Sequence, residues 1–251
     1  MENWQERTGI LIGEEGLEKF KNAVVMVVGL GGVGAYAAEM LCRAGTGKLI
    51  LLDADTVNPT NKNRQLIALD STLGRLKSEV LAGRLRDINA AVQLRLITGY
   101  LEEENIEALF RQAVYGEADA GEWKIDYVVD AIDTLSPKIA LIKYCRDHAV
   151  PHVSSMGAGA KFDATKIRLT DLSKSYNCPL AYILRKKLRK LGISKGFKVV
   201  FSEELPCREA IIPTEEERNK KSQVGTISYL PAVFGCVCAQ AALTHLLNIE
   251  K

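Results

Sequence analysis

Paired cysteines are missing from this sequence. Its six cysteines, at positions 42, 145, 178, 207, 236 and 238, never fall in a C-x-x-C spacing. A chain of this length needs no disulfide staple to hold a core, and the scattered spacing suggests no disulfide framework. The expected setting is therefore reducing, intracellular and cytoplasmic. Charge of one sign is also scarce: 33 basic against 31 acidic residues leave a net charge of +2. With so weak an overall field, any nucleic-acid binding must come from a local patch. No internal repeat or low-complexity tract interrupts the chain. The opening MENWQERTGILIGEEG carries acids where a secretory leader would have a basic and then an apolar region. One long uncharged run exists, the 18 residues 230–247, which include Pro231, Gln240 and His245. It reads as a buried closing helix, with Pro231 in its first turn, and no membrane insertion is expected.

What is present is ordinary for a globular protein. The 47% hydrophobic and 25% charged residues exclude disordered and fibrous classes, and 251 residues suit one domain or one domain with an insertion. AVVMVV (23–28) is a continuous apolar, β-branched run, as a parallel strand buried on both faces requires. The pattern then alternates. Helices are expected over 35–45, 77–89, 101–114 and 137–148, and strands over 48–52, 92–96, 125–129 and 152–156. This order predicts an α/β doubly wound, mostly parallel, Rossmann-like sheet. After about residue 160 the character changes. KIRLTDLSKS and GFKVVFSEE read as strands around a basic amphipathic segment, LAYILRKKLRKLG, and residues 215–221 read as a charged, mobile loop. The expected organisation is one continuous domain, with a core over residues 1–160 and a small substrate-facing extension over 161–251.

Gly29, Gly31 and Gly34 satisfy G-x-G-x-x-G between a predicted strand and a predicted helix, with Gly32 inside the motif. Missing side chains there let backbone N–H groups approach a phosphate at the positive end of a helix. Asp53 follows Gly34 by 19 residues at the end of the next strand, where a carboxylate can accept from ribose hydroxyls. NAD, FAD and ATP all fit so far. The segment beyond adds Asp55, Asn61, Arg64 and Gln65 at the sheet edge, and Lys77 stands behind Gly74. Arg64 and Lys77 could oppose a polyphosphate and the charge that develops as pyrophosphate leaves, which a dinucleotide needs less. Asp133, after YVVDAI, is a natural Mg²⁺ ligand. Surface ion pairs for the two cations and helix capping for Asp133 are equally compatible with the spacing.

GLGGVG, then D-x-D-x-V-x-x-x-N-x-x-R-Q, Lys77 and D-A-I-D (130–133) together resemble the ThiF/MoeB/HesA family, relatives of the ubiquitin-activating enzymes. The resemblance implies adenylation of a carboxylate with ATP and Mg²⁺ by a homodimer. Asp53 would hold the ribose, Asn61, Arg64 and Lys77 the phosphates, and Asp133 the Mg²⁺. Arg7 would reach into the partner subunit's ATP site. Members that activate ubiquitin-like sulfur carriers commonly bind structural zinc through two C-x-x-C pairs. Without such a pair no zinc is expected, and the zinc-dependent branch is disfavoured. Cys236 and Cys238 stand i, i+2 on a predicted helix and fit core packing, while Cys178 and Cys207 are single loop cysteines.

Arg185, Lys186, Lys187, Arg189 and Lys190 fall within six residues, interleaved with Leu184, Leu188 and Leu191. Leucines facing in and cations facing out would make a phosphate-binding surface, extended by Lys195 and Lys198. MGAGAK (156–161) followed by TDLSKSYNCPLAYILRKKLRK resembles the branch of the family that dehydrates N6-threonylcarbamoyladenosine beside the tRNA anticodon. The implied reaction adenylates the threonyl carboxylate, and the carbamoyl group then closes a ring with loss of AMP. No protein nucleophile is needed, because the ring closure is intramolecular. Backbone carbonyls of the GAGA turn (157–160) could ligate a monovalent cation, Na⁺ or K⁺, and a sulfur-relay protein is a further candidate partner. Three other readings compete. Adenylation of a ubiquitin-like protein's C-terminus would use the same ATP residues. A NAD-dependent oxidoreductase has no need of Asn61 to Gln65 with Lys77. A non-enzymatic nucleotide sensor is hard to reconcile with candidates for both phosphate and Mg²⁺ contacts.

Overall fold

The computed structural model describes residues 4–116, 121–214 and 222–249. The expected loop at 215–221 lies outside the described residues.

Seven strands form one sheet in the order β3-β2-β1-β4-β5-β7-β6. The apolar runs form β1 (Val24–Val28), β2 (Lys48–Leu52), β3 (Gln93–Ile97), β4 (Tyr127–Asp130) and β5 (His152–Ser155). All five pair in parallel, and β7 (Lys198–Ser202) adds to β5 in parallel as well. Only β6 (Ile167–Asp171) runs antiparallel, on the far side of β7. The fold is thus α/β, mostly parallel and Rossmann-like. Every residue of β1, β4 and β5 is buried, because helices cover both faces.

The covering helices are α2 (Gly34–Ala44), α3 (Lys77–Ile88), α4 (Ile106–Tyr115), α5 (Leu135–Asp147), α6 (Pro179–Lys190) and α7 (Tyr229–Leu246). The fourth begins five residues later than its pattern predicts. Residues 103–105 form a turn first, closed by the Asn105 carboxamide oxygen, which accepts from the Glu102 N–H at 2.8 Å. Two elements escape the sequence reading. One is α1 (Glu6–Asn22), two helical pieces that meet at Gly13, where φ is 72°; its glycines blur the apolar period. The other is a short hairpin, β8 (Ile211–Pro213) with β9 (Ser222–Val224).

The uncharged C-terminal run is a helix that is long and apolar enough to cross a membrane by length and composition. Here it lies on α2 and buries Leu230, Phe234, Cys238, Ala239, Ala241 and Ala242. The two helices approach so closely that a side chain on Gly235 would meet the Val33 carbonyl oxygen at 2.4 Å. Expectations for the cysteines are corrected in part. Cys238 is core, and burial pushes its thiol up to about 12, but Cys236 points outward and is exposed. Cys178 sits buried at the start of α6 instead of in an open loop.

The tightest glycine among the described residues is Gly34, where a Cβ would stand 1.7 Å from the Gly29 carbonyl oxygen. Gly34→Ala must shift the whole turn, with an expected loss of about 1–3 kcal/mol or more in urea denaturation. Gly83 lies inside α3 with nothing within 4 Å of its missing side chain. There Gly83→Ala is expected to gain about 0.4–1 kcal/mol in the same assay.

Candidate nucleotide and tRNA site

The strand order reverses between β1 and β4, and ligands of open α/β sheets bind outside the carboxyl ends of strands at such a point. The glycine loop leaves β1 there with Gly29 at φ 87°. A Cβ on Gly29 would meet the Ala131 carbonyl oxygen at 2.9 Å, and one on Gly34 the Ala131 side chain at 3.1 Å. The loop after β1 and the D-A-I-D loop after β4 are therefore in contact. Asp53, at the end of β2, grips the same turn: its carboxylate accepts from the Leu30 N–H at 2.6 Å and the Asp55 N–H at 2.7 Å. Both oxygens retain acceptor capacity for a ribose hydroxyl. Burial raises the pKa of Asp53, and the charge of Lys77 and the two N–H groups only partly offset this.

The segment after β2 folds back over the loop. A 3-10 turn, Pro59–Asn61, is capped reciprocally by Asn58 and Asn61, so the Asn61 carboxamide is used inside its own turn. Arg64 is half-buried, and its guanidinium donates to the Thr60 carbonyl at 3.0 Å and the Asn63 side chain at 2.8 Å. The Arg64 carbonyl oxygen lies 3.4 Å from the point a Gly32 side chain would take, and the Gln65 amide nitrogen 3.6 Å from that of Gly31. Gln65 is buried, and its side-chain Oε1 has no hydrogen-bond partner among the described residues.

An accessible cation was expected at Lys77. The structure corrects this: Lys77 is only 5% exposed and its ammonium pairs with Asp55 at 2.8 Å. Asp55 also accepts from the Tyr100 hydroxyl at 3.1 Å, a neighbour that the sequence spacing did not suggest. Lys77 opens α3, so its charge is held at the edge by a partner 22 positions away. Asp133 stands exposed in the loop between β4 and α5. Among the described residues no group of three or more His, Cys, Asp or Glu is arranged to hold a metal. One exposed carboxylate fits Mg²⁺, which proteins commonly bind through one or two carboxylates plus substrate phosphates.

A buried network that the sequence reading missed supports that loop. Lys138 is 0% exposed and its ammonium pairs with Asp130 at 2.7 Å and Ser154 at 3.0 Å. Asp130 also accepts from the Ser154 hydroxyl at 2.6 Å and the Ile132 N–H at 3.1 Å. The signal was present: Lys138, Leu141, Ile142 and Cys145 share the i, i+3, i+4, i+7 stripe that α5 buries.

The basic cluster is confirmed as helix α6, which buries Ala181, Leu184 and Leu188. Lys186, Lys187, Arg189 and Lys190 are exposed, but Arg185 is half-buried and donates to the Ser175 carbonyl at 2.7 Å. Leu191 caps the helix and is exposed, contrary to its expected inward role. Arg7 is exposed in the first turn of α1. In the GAGA turn, the Ala160 carbonyl accepts from the Cys207 N–H at 2.7 Å.

The ThiF family profile matches residues 6–251. The tRNA threonylcarbamoyladenosine dehydratase of Bacillus subtilis is 39% identical over 249 residues, which cover 96% of this chain and 94% of that protein. The enzyme of the same name from Escherichia coli is 36% identical, covering 97% and 94%. A crystal structure of the E. coli dehydratase in complex with ATP superposes with a TM-score of 0.84 at 35% identity, covering 99% of this chain and 96% of that one.

The raised pKa of Asp53 has a functional consequence. On acidification this carboxylate takes up its proton at a higher pH than an unburied aspartate would, and it then loses acceptor capacity toward the two N–H groups and any hydroxyl beside it. ATP affinity, measured by calorimetry from neutral pH downward, is expected to fall earlier in the wild type than ATP's own protonation explains. Asp53→Asn is expected to bind weakly throughout and to lack that component.

Proposed function

The chain belongs to the ThiF family, and from that premise we propose that it is an ATP-dependent dehydratase acting on N6-threonylcarbamoyladenosine in tRNA. The observation that carries this reading is the meeting of two features in one chain. A glycine loop gripped by Asp53 lies at the switch point of the sheet, and a basic helix, α6, has at least four outward cations. Relatives matched over nearly the full chain carry that enzyme name. Adenylation of a ubiquitin-like protein's tail is not favoured.

The assigned roles follow from position. Backbone N–H groups of Gly31, Gly32 and Gly34 face the phosphates and Asp53 holds the ribose, whereas the N–H of Gly29, expected among them, is spent on the Leu52 carbonyl at 2.9 Å and Gly29 serves only the turn. Lys77 exchanges its Asp55 partner for phosphate oxygens, while Arg64, supported by Asn61 and Gln65, stabilises the charge that develops as pyrophosphate leaves. The threonyl carboxylate oxygen attacks the α-phosphorus, forming an acyl-adenylate and releasing pyrophosphate. The carbamoyl group of the same nucleoside then attacks the acyl carbon, AMP leaves, and a proton is lost, so the nucleoside loses one water overall. Proximity within the substrate supplies much of the second step. Asp133 is the residue assigned to hold Mg²⁺, which supplies charge neutralisation on the phosphates when bound. The active unit is a homodimer in which Arg7 serves the neighbouring site. Residues 1–160 act as the nucleotide core and 161–251 as the tRNA-facing extension.

Incubation with threonylcarbamoylated tRNA, ATP and Mg²⁺, followed by nucleoside mass spectrometry, is expected to show an ATP-dependent loss of one water with AMP formed. No mass change would sink the assignment. Lys77→Ala and Arg64→Ala are each expected to lower turnover by at least about 100-fold; Arg64→Ala keeps a melting temperature close to wild type, whereas Lys77→Ala, which removes a buried side chain and the ion-pair partner of Asp55, lowers it. Wild-type rates in either would remove that residue's role. Reversing charge at Lys186, Lys187 and Arg189 is expected to weaken tRNA binding and flatten its salt dependence by about one unit of slope per lost phosphate contact.

A further inference from the structure

We infer that three exposed aromatic side chains, Tyr176, Phe162 and Tyr229, form a stacking track that carries unpaired anticodon-loop bases from the basic helix to the nucleotide site. The inference rests on the tRNA reading above and adds the residues that hold the base. Single exposed aromatics are unremarkable, but these three are joined. Tyr176 lies just before α6, is 47% exposed, and donates its hydroxyl to Glu203. The next residue, Glu204, accepts from the Phe162 N–H at 3.0 Å and the Asp163 N–H at 2.7 Å. From the other side the Tyr229 hydroxyl donates to the Phe162 carbonyl at 2.6 Å. Lys161, beside Phe162 in the chain, is buried and donates inward to the Ser202 carbonyl at 3.2 Å. The backbone of Phe162 is thus fixed on both sides while its ring stays 59% exposed. A ring on so fixed a backbone can serve as a stacking platform.

The track ends at the phosphate loop. Tyr229 is 45% exposed at the start of α7, two residues before Pro231, whose Cβ lies 3.0 Å from the point a Gly32 side chain would occupy. The Asn63 side chain, next to Arg64, donates to the Thr226 carbonyl at 2.9 Å, so the segment leading into Tyr229 is tied to the phosphate-facing segment as well. At its other end the row begins three residues before α6, whose cations suit an RNA backbone. RNA sequence is read mostly from unstacked loop bases laid on aromatic rings. An adenine whose N6 substituent must reach an α-phosphate needs its base held near the glycine loop, and Tyr229 is linked to that loop through Pro231, with Phe162 one hydrogen bond further away.

The test is the affinity of a short single-stranded RNA and of an anticodon stem-loop, measured by fluorescence anisotropy from about 50 to about 200 mM salt. Phe162→Leu is expected to raise Kd about 5- to 150-fold with an unchanged salt slope, and Phe162→Trp to bind like wild type, since stacking needs a π-face and not a particular ring. Tyr176→Leu gives the same readout at a second site should Phe162→Leu lower the melting temperature. Wild-type affinity in both leucine variants, or a Phe162→Trp loss equal to that of Phe162→Leu, would overturn the track. Binding requires no turnover, so the two failures separate. Ring-dependent binding without AMP formation would sink the assigned reaction and leave the track. Turnover with ring-independent binding would do the reverse.

Discussion

Everything at the carboxyl edge of the sheet depends on how closely the glycine loop is packed. Side chains at Gly29 and Gly34 would collide with the Ala131 carbonyl and with Gly29 itself, and one on Gly32 would press on Pro231. Their absence lets three separate pieces of chain close on one point: the turn after β1, the D-A-I-D loop after β4 and the first turn of α7. The same close approach continues down α7, where Gly235 sits against the Val33 carbonyl. The N–H groups of this turn are therefore fixed by packing from below. The Asp53 carboxylate adds one directed bond to the Leu30 N–H from the side.

The cations around that loop are not free in this structure. Lys77 is neutralised by Asp55, and Arg64 is spread over Thr60 and Asn63. A buried ammonium without a counter-charge would cost several kcal/mol, so in the role proposed for Lys77 a carboxylate must hold the ammonium whenever no phosphate does. Asp55 suits that role because its own side chain is 49% exposed. It can turn to water when a phosphate takes over the ammonium, at little desolvation cost. Asp130 and Lys138 are the opposite case. Both are fully buried, and their network with Ser154 and the Ile132 N–H leaves no exchange open. That pair gives fixed geometry to the loop bearing Asp133, whereas Lys77 and Asp55 form an exchangeable pair.

The sequence made the central strands and the nucleotide loop readable because both obey local rules. A β-branched apolar run buried on two faces has few alternatives, and glycines at that spacing between a strand and a helix are a positional requirement. What stayed hidden is long-range. Nothing near Lys77 announces that its partner is Asp55 across a turn, so it reads as a surface cation. The insertion of β7 between β5 and β6 reverses one strand at an edge, which periodicity does not register. The helix α1 carries Gly9, Gly13 and Gly16, and its most apolar pair, Ile10 and Leu11, is over 80% exposed. Its pattern therefore matches neither a buried stripe nor a loop. Of the two cysteines i, i+2 on α7, only one can face α2, and the sequence alone did not say that Cys236 would be the outward one.

A chain with a net charge of +2 can still address a polyanion if its charges are sorted by surface. On α6 the sorting is done by the apolar stripe: Ala181, Leu184 and Leu188 are buried, which forces the intervening lysines and arginine outward on one face. Arg185 is the exception that anchors the face, because its guanidinium holds the Ser175 carbonyl and so fixes the approach of the chain to α6. The acids nearest this surface are largely occupied: Glu203 by Arg168 and Tyr176, and Glu204 by two backbone N–H groups. Their negative charge is directed into the fold. Among the described residues no acid pairs with the lysines of α6, which stay exposed on the outside. Local sorting of charge, not total charge, is what gives a nearly neutral protein a cationic helix face.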